Sequence, residues 1–378
     1  MHFTYHMPTK VYFGCGEFEK APHYIRNLGK RALLITGKSA MKQYGFTGTL
    51  VDGLAALDVQ TVVFEGISAN PLVSEVNECV RRVASRQPEV VVALGGGSVI
   101  DAAKSVLLGL STGEKVEPYL LGERPLPEVR IPLVAIPTTA GTGSETNGAA
   151  VLTDEENGIK TSFRHSGFFP RIAVADPRLT LSLSSAITVQ TGFDVFAHAV
   201  ETYISKSARS PLIASHSLTA VRLVGQYLPL VLKDGQDLAA RSQMLYASML
   251  MGFNLANSST CLPHRLQYPI GVKTNSSHGS GLMALFESWL NLTYEMSREK
   301  FNRIAEALSG SSCVDKQEFM NVYRQFRHSI NSHPSLADFL LTKADIGYLA
   351  GNVTGSLAND PAGGIPGIVE KIYDGAFY

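Results

Sequence analysis

Short, nearly unbroken apolar runs alternate with helical periodicity through the first half of the chain. Residues 31–37 (RALLITG), 60–65 (QTVVFE), 89–94 (EVVVAL) and 131–136 (IPLVAI) each read as a buried strand. Between the second and third, residues 70–86 place Val73, Val76 and Val80 on one helical face. Strand and helix in repetition predict βαβ units and a parallel sheet. Such sheets bind ligands at the carboxyl ends of their strands. Residues 151–161, centred on Asn157-Gly158, predict a hairpin, and residues 172–175 a last short strand before Asp176-Pro177. Beyond about residue 180 helical patterns dominate, as in 191–205, 210–232 and 238–257. The pattern predicts an α/β domain with a parallel sheet over residues 1–180 and an all-α C-terminal domain over 181–378. Residues 359–367, rich in Gly and Pro, read as a loop.

Composition narrows the field. A chain of 378 residues can bury two cores, and 45% hydrophobic against 17% charged residues exclude a disordered chain. Lys+Arg and Asp+Glu both number 33, so there is no basic excess to bind a nucleic-acid backbone. No apolar run approaches the roughly 20 residues that span a bilayer. Residues 1–10 lack the apolar stretch of a signal peptide. Cys15, Cys79, Cys261 and Cys313 are far apart without a CxxC pair, so the expected compartment is the reducing cytoplasm.

Two glycine-bearing turns follow strands. Gly95-Gly96-Gly97-Ser98 opens a helix, and bare N–H groups with a helix dipole suit a pyrophosphate. Ser98 is the expected N-cap. A tight strand-to-helix turn explains the same residues equally well. The second turn, 137–145 (PTTAGTGSE), offers hydroxyls and N–H groups to phosphate and ribose, or is simply a solvated loop. Two such turns after neighbouring strands favour a dinucleotide crevice.

A third pattern carries metal-like chemistry. Asp194 and His198 stand i, i+4 in an apolar helical stretch, and His264 and His278 follow. One carboxylate and three imidazoles suit Fe²⁺ or Zn²⁺ with a position left open. By spacing alone an internal ion pair and two satisfied histidines are the commoner explanation.

Taken in order, GGGSVIDAAK, PTTAGTGSE, GFDVFAHAVETYIS and H-x13-HG resemble the iron-containing (group III) alcohol dehydrogenase family over roughly residues 5–310. The resemblance implies the dehydroquinate synthase-like fold, an N-terminal dinucleotide-binding α/β domain with an all-α domain behind it. It implies metal ligation by Asp194, His198, His264 and His278, with Fe²⁺ or Zn²⁺. It places the pyrophosphate on Gly95, Gly96, Gly97 and Ser98, with Asp101 in the same stretch. It assigns further nucleotide contacts to Thr138, Thr139, Thr142, Asn147, Lys160 and Asn70. The implied activity is hydride transfer between NAD(P)H and a small aldehyde or alcohol, in a homodimer or larger homo-oligomer.

Three departures bear on the chemistry. Tyr268 replaces a histidine thought to aid proton transfer, and a phenol near a cation could relay a proton or merely line the pocket. Gly37-Lys38-Ser39 lacks the aspartate with which NAD-preferring members bind the ribose, which leans slightly toward NADPH. Asn147 replaces the usual threonine, and the C-terminal end departs from the family pattern. Arg265, Lys273, Arg164 and His165 are candidate anchors for an anionic tail, so the expected substrate is a small aldehyde bearing carboxylate, phosphate or phosphonate. The rival readings are a hydroxyacid–oxoacid transhydrogenase, a dehydroquinate synthase-type lyase, and a non-catalytic relative that binds nucleotide or a partner but no metal, against which the four-ligand set speaks.

Overall fold

A computed structural model describes residues 2–378. Two compact units divide the chain: Met7–Thr139 with Gly143–Ser182, and the segment up to His6 with Ala140–Thr142 and Leu183–Tyr378.

The first unit holds eight strands: β1 (Lys10–Phe13), β2 (Arg31–Gly37), β3 (Gln60–Ile67), β4 (Val90–Gly95), β5 (Leu133–Pro137), β6 (Ala149–Asp154), β7 (Ile159–Arg164) and β8 (Ile172–Ala175). Six of them form one parallel sheet in the order β1-β8-β5-β4-β2-β3. Its helices are α1 (Glu17–Arg26), α2 (Ala40–Gln43), α3 (Phe46–Ala55), α4 (Val73–Val83), α5 (Gly97–Thr112) and α6 (Glu117–Leu120). Both faces of the sheet are covered, which is why the central strands read as unbroken apolar runs. Leu33, Ile35, Val91 and Ala93 join the core beneath α4 and α5. Their neighbours Ala32, Leu34, Val90 and Val92 join the core beneath α1 and α3.

The strand order reverses between β2 and β4, because β2 leads to β3 on one side and β4 to β5 on the other. Thr36 pairs with Leu94, so both strands end together and leave a crevice at a topological switch point. The hairpin of β6 and β7 stands apart as a two-stranded antiparallel sheet. Its loop spans four residues between Asp154 and Ile159, so Asn157-Gly158 is the end of the turn and not its centre. Gly158 there has φ 64°, and the Asn157 amide donates to Asp154 Oδ1.

The second unit is helical: α7 (Ser185–Ile204), α8 (Pro211–Lys233), α9 (Leu238–Asn257), α10 (Leu262–Thr274), α11 (His278–Thr293), α12 (Arg298–Ser309), α13 (Lys316–Ser329), α14 (Ile346–Gly351) and α15 (Ile368–Gly375). Side-chain caps start several of them: Ser184 accepts from Ile187, Ser210 from Leu212 and Asp237 from Ala240. Helix α7 is buried almost throughout, with Phe193 and Phe196 packed against Phe286. The segment 359–367 is a loop held by the fully buried Asp360. Asp360 Oδ2 accepts from the Leu262 amide at 3.0 Å and from Trp289 Nε1 at 2.9 Å. No helix among the described residues is long and apolar enough to cross a membrane.

Candidate metal centre and nucleotide-binding turns

Helix α7 must bury nearly every side chain, yet Asp194, His198 and Glu201 lie along one stripe of it at i, i+4 and i+7. Such groups are tolerated inside only if something satisfies them. Around this stripe α10 brings His264, and α11 brings His278 at its first position. Gly279 permits the last approach, since a Cβ there would lie 2.3 Å from the Gln190 carbonyl of α7.

Donor atoms of Asp194, His198 and His264 lie within 4.8 Å of one another. From Asp194 Oδ1, His198 Nδ1 is 3.2 Å away, His264 Nε2 3.4 Å and His278 Nε2 3.6 Å. Yet Asp194 Oδ1, His198 Nδ1 and His264 Nε2 are buried with no hydrogen-bond partner. The atoms converge without bonding one another, as ligands of a shared ion do. Ligands about 2.1 Å from a tetrahedral ion stand about 3.4 Å apart, which matches these separations. A carboxylate with imidazoles is a donor set for a divalent transition metal.

The outer ring nitrogens are held. His264 Nδ1 donates to Glu201 Oε1 at 2.6 Å, and His278 Nδ1 to Gln267 Oε1 at 2.6 Å. Burial alone would lower the His264 pKa, but the Glu201 and Asp194 carboxylates outweigh it and hold it at about 9. Burial pushes His198 down to about 4, only partly offset by Asp194. Burial works against the Asp194 anion, but His198, His264 and His278 outweigh it and hold its pKa well below the usual range.

Tyr268 lies one turn after His264 and is buried, as is Arg265. Arg265 donates to the Tyr268 hydroxyl at 3.2 Å and to Ser259 Oγ at 3.4 Å, with its guanidinium 5.7 Å from the Tyr268 ring centroid. The other proposed anchors are engaged elsewhere. Lys273 pairs with Asp345 at 2.6 Å, and His165 accepts from the Gly167 amide. Arg164 is exposed at the end of β7.

In the first unit, Gly95 ends β4, Gly96 is the extended cap and Gly97 starts α5. A Cβ on Gly95 would come within 2.6 Å of Val99 Cγ2, so packing as well as ligand access demands this glycine. The expected Ser98 cap is corrected: the cap is Gly96, two residues earlier, and the Ser98 hydroxyl donates to the Ala69 carbonyl at 2.5 Å. That bond ties the 95–98 turn to the Asn70 turn. Lys160 Nζ in turn donates to Asn70 Oδ1 at 2.9 Å, so these two sequence-named residues are partners.

Asp101 is turned inward. Its Oδ1 accepts from the Ser144 hydroxyl and its Oδ2 from the Val151 amide. Asn147 also faces inward, donating to the Gly143 carbonyl and accepting from the Ala149 amide. Between them lies Lys104, fully buried, which sequence reading missed. Its Nζ donates to Ser144 Oγ (2.6 Å), the Ala149 carbonyl (2.7 Å) and Asn147 Oδ1 (3.3 Å). Burial lowers the amine to about 8, with Asp101 and Glu145 opposing, while burial lifts the Glu145 carboxyl to about 7. Thr138 follows β5, its amide donating to the Gly95 carbonyl, and Thr139 packs over Gly96. Thr142 falls in the short segment grouped with the helical unit. Gly37 ends β2, Lys38 and Ser39 are exposed beyond it, and Ser39 provides no side-chain cap for α2.

Comparison with known proteins gives two family matches. Residues 8–177 match the family described as iron-containing alcohol dehydrogenase, and residues 188–373 its C-terminal region. The probable alcohol dehydrogenase EutG of Escherichia coli is 30% identical over 347 residues, covering 92% of this chain and 87% of that one. A solved archaeal alcohol dehydrogenase from a Red Sea brine pool superposes with TM-score 0.92 at 27% identity, covering 100% of this chain and 99% of that one. The sulfoacetaldehyde reductase of Bifidobacterium kashiwanohense, solved with NAD⁺, superposes with TM-score 0.88 at 26% identity over 99% of this chain and 98% of that one.

Proposed function

The chain belongs to the iron-containing alcohol dehydrogenase family, and from that premise we propose that it is a metal-dependent NAD(P)H-linked reductase of a small anionic aldehyde. The observation that carries the reading is the convergence of three buried donor atoms that make no hydrogen bond. In this proposal Asp194, His198, His264 and His278 hold Fe²⁺ or Zn²⁺. The ion supplies Lewis acidity toward a carbonyl or alcohol oxygen, and the dinucleotide supplies or takes the hydride.

The protein's own residues bind, orient and exclude water. The turn 95–98 takes the pyrophosphate on backbone N–H groups at the start of α5. Lys104, Asp101 and Asn147 hold the neighbouring turn in shape from beneath. Lys38 gives a 2′-phosphate no carboxylate to repel it, so NADPH is accepted as well as NADH. Tyr268 holds its hydroxyl one helical turn from His264, where it can pass a proton. Arg265 beside it donates to Tyr268 and Ser259, and its guanidinium suits a carboxylate, sulfonate or phosphonate tail. The sulfoacetaldehyde reductases of Bilophila wadsworthia and B. kashiwanohense are relatives whose named substrate is an anionic aldehyde of this kind.

The test is NADH and NADPH oxidation against paired neutral and anionic aldehydes, with Arg265→Ala alongside. A hydrogen bond to a charged group contributes about 1.5–3 kcal/mol, so kcat/KM for the anionic member should fall about 10–150-fold. Equal loss with both members would remove Arg265 from substrate binding. Metal binding without net nucleotide oxidation would favour the lyase or the transhydrogenase. A homodimer or larger assembly belongs to the same reading, and light scattering tests it.

A further inference from the structure

The two outer imidazole contacts of the metal cluster differ in kind. His264 is backed by a carboxylate, Glu201, and His278 by a neutral amide, Gln267. Glu201 is fully buried, and its second oxygen accepts from the Cys261 amide at 2.7 Å. A buried carboxylate is costly unless charge and hydrogen bonds compensate it. It lies on the Asp194–His198 stripe of α7, so one helix delivers two donors and the brace of a third.

We infer that Glu201 is a positioning residue that fixes His264 with its proton on Nδ1. With an ion in place of the Nε2 proton, the Nε2 lone pair faces Asp194 and His198, and the carboxylate adds to the negative charge that attracts a divalent ion. This rests on the reading that Asp194, His198, His264 and His278 hold a metal. Glu201 has a second possible task, since its bond to Cys261 also clamps the start of α10. Asp360 performs that clamping alone: it accepts from the Leu262 amide and Trp289 Nε1. The pair Glu201 and Asp360 therefore separates the two tasks.

The experiment strips the metal from the full-length protein and titrates Zn²⁺ and Co²⁺ back against a chromophoric chelator. Glu201→Gln should weaken both ions by about 10–100-fold, the range for losing such a partner. The visible absorption of its Co²⁺ form should shift, because ligand basicity has changed. Asp360→Asn should lower the unfolding temperature of the metal-free protein yet leave affinity and the Co²⁺ spectrum as they were. Equal weakening in both variants, or wild-type affinity in Glu201→Gln, overturns the inference.

Should Glu201→Gln fail to fold, Gln267→Glu carries the test. Gln267 Nε2 has no hydrogen-bond partner, so the exchange sacrifices no bond. A carboxylate behind His278 should tighten Zn²⁺ by about tenfold, and unchanged affinity overturns the inference. A wild-type protein that binds neither ion refutes the metal reading itself, which is a different result.

Discussion

Lys104→Met is the sharpest perturbation of the N-terminal α/β unit. The methionine keeps most of the volume but removes three hydrogen bonds, to Ser144, Asn147 and Ala149. It also leaves Asp101 and Glu145 without the cation buried beside them. Removing one partner of a buried ionic cluster costs about 3–5 kcal/mol, so the variant should lose that much at pH 7. The pH dependence carries a second signature. An amine at about 8 in the folded protein against 10.5 for a free lysine is more readily deprotonated when folded. The unfolded chain then binds more protons between these values, so wild-type stability should rise with pH across that window. Between pH 7 and 9.5 the lysine adds about 2 kcal/mol, a gain that the methionine variant lacks. Urea unfolding at both pH values measures this, with the KM for dinucleotide as the functional readout. KM should rise as the turn 143–149 loses its support. A variant as stable as wild type at pH 7, with an unchanged KM, would refute the view that Lys104 shapes this turn.

Three further outcomes follow from single contacts. Gly279→Ala pushes a methyl group into the Gln190 carbonyl and should cost about 1–3 kcal/mol, with metal content falling as His278 is displaced; calorimetry and metal analysis check both. Lys38→Asp should raise the KM for NADPH by about tenfold or more and leave that for NADH unchanged, through repulsion of the 2′-phosphate. Chelation of the wild-type protein should lower its unfolding temperature, and added Zn²⁺ should restore it in a concentration-dependent way.

The central strands were legible because the sheet is covered on both faces, which turns β2, β4 and β5 into continuous apolar runs. Strand β1 was not, because it is a four-residue edge strand with half-exposed positions. The helical unit was legible from its periodicity, and α9 spans the expected 238–257. Asp194 and His198 stood out by their spacing in an apolar helix, but the family resemblance, not the spacing, marked them as candidate ligands. Glu201 continues the same stripe, and that pattern was the available signal for it. Lys104 gave no such signal, since a lone lysine in a helix ordinarily reads as solvated. Ser98 misled because serine after glycines suggests a cap, while the helix is capped two residues earlier, at Gly96. Asp360 was hidden in a Gly- and Pro-rich loop, where sequence shows no reason for a fully buried carboxylate.

The central claim is that four side chains on three helices hold a catalytic divalent ion. Metal analysis of protein purified without chelator, for wild type and Asp194→Ala in parallel, tests it most directly. One equivalent of iron or zinc in the wild type, with little in the variant, is the result expected. Wild-type protein that carries no metal and takes up neither added Fe²⁺ nor Zn²⁺ would contradict it, and so would a variant that retains a full equivalent.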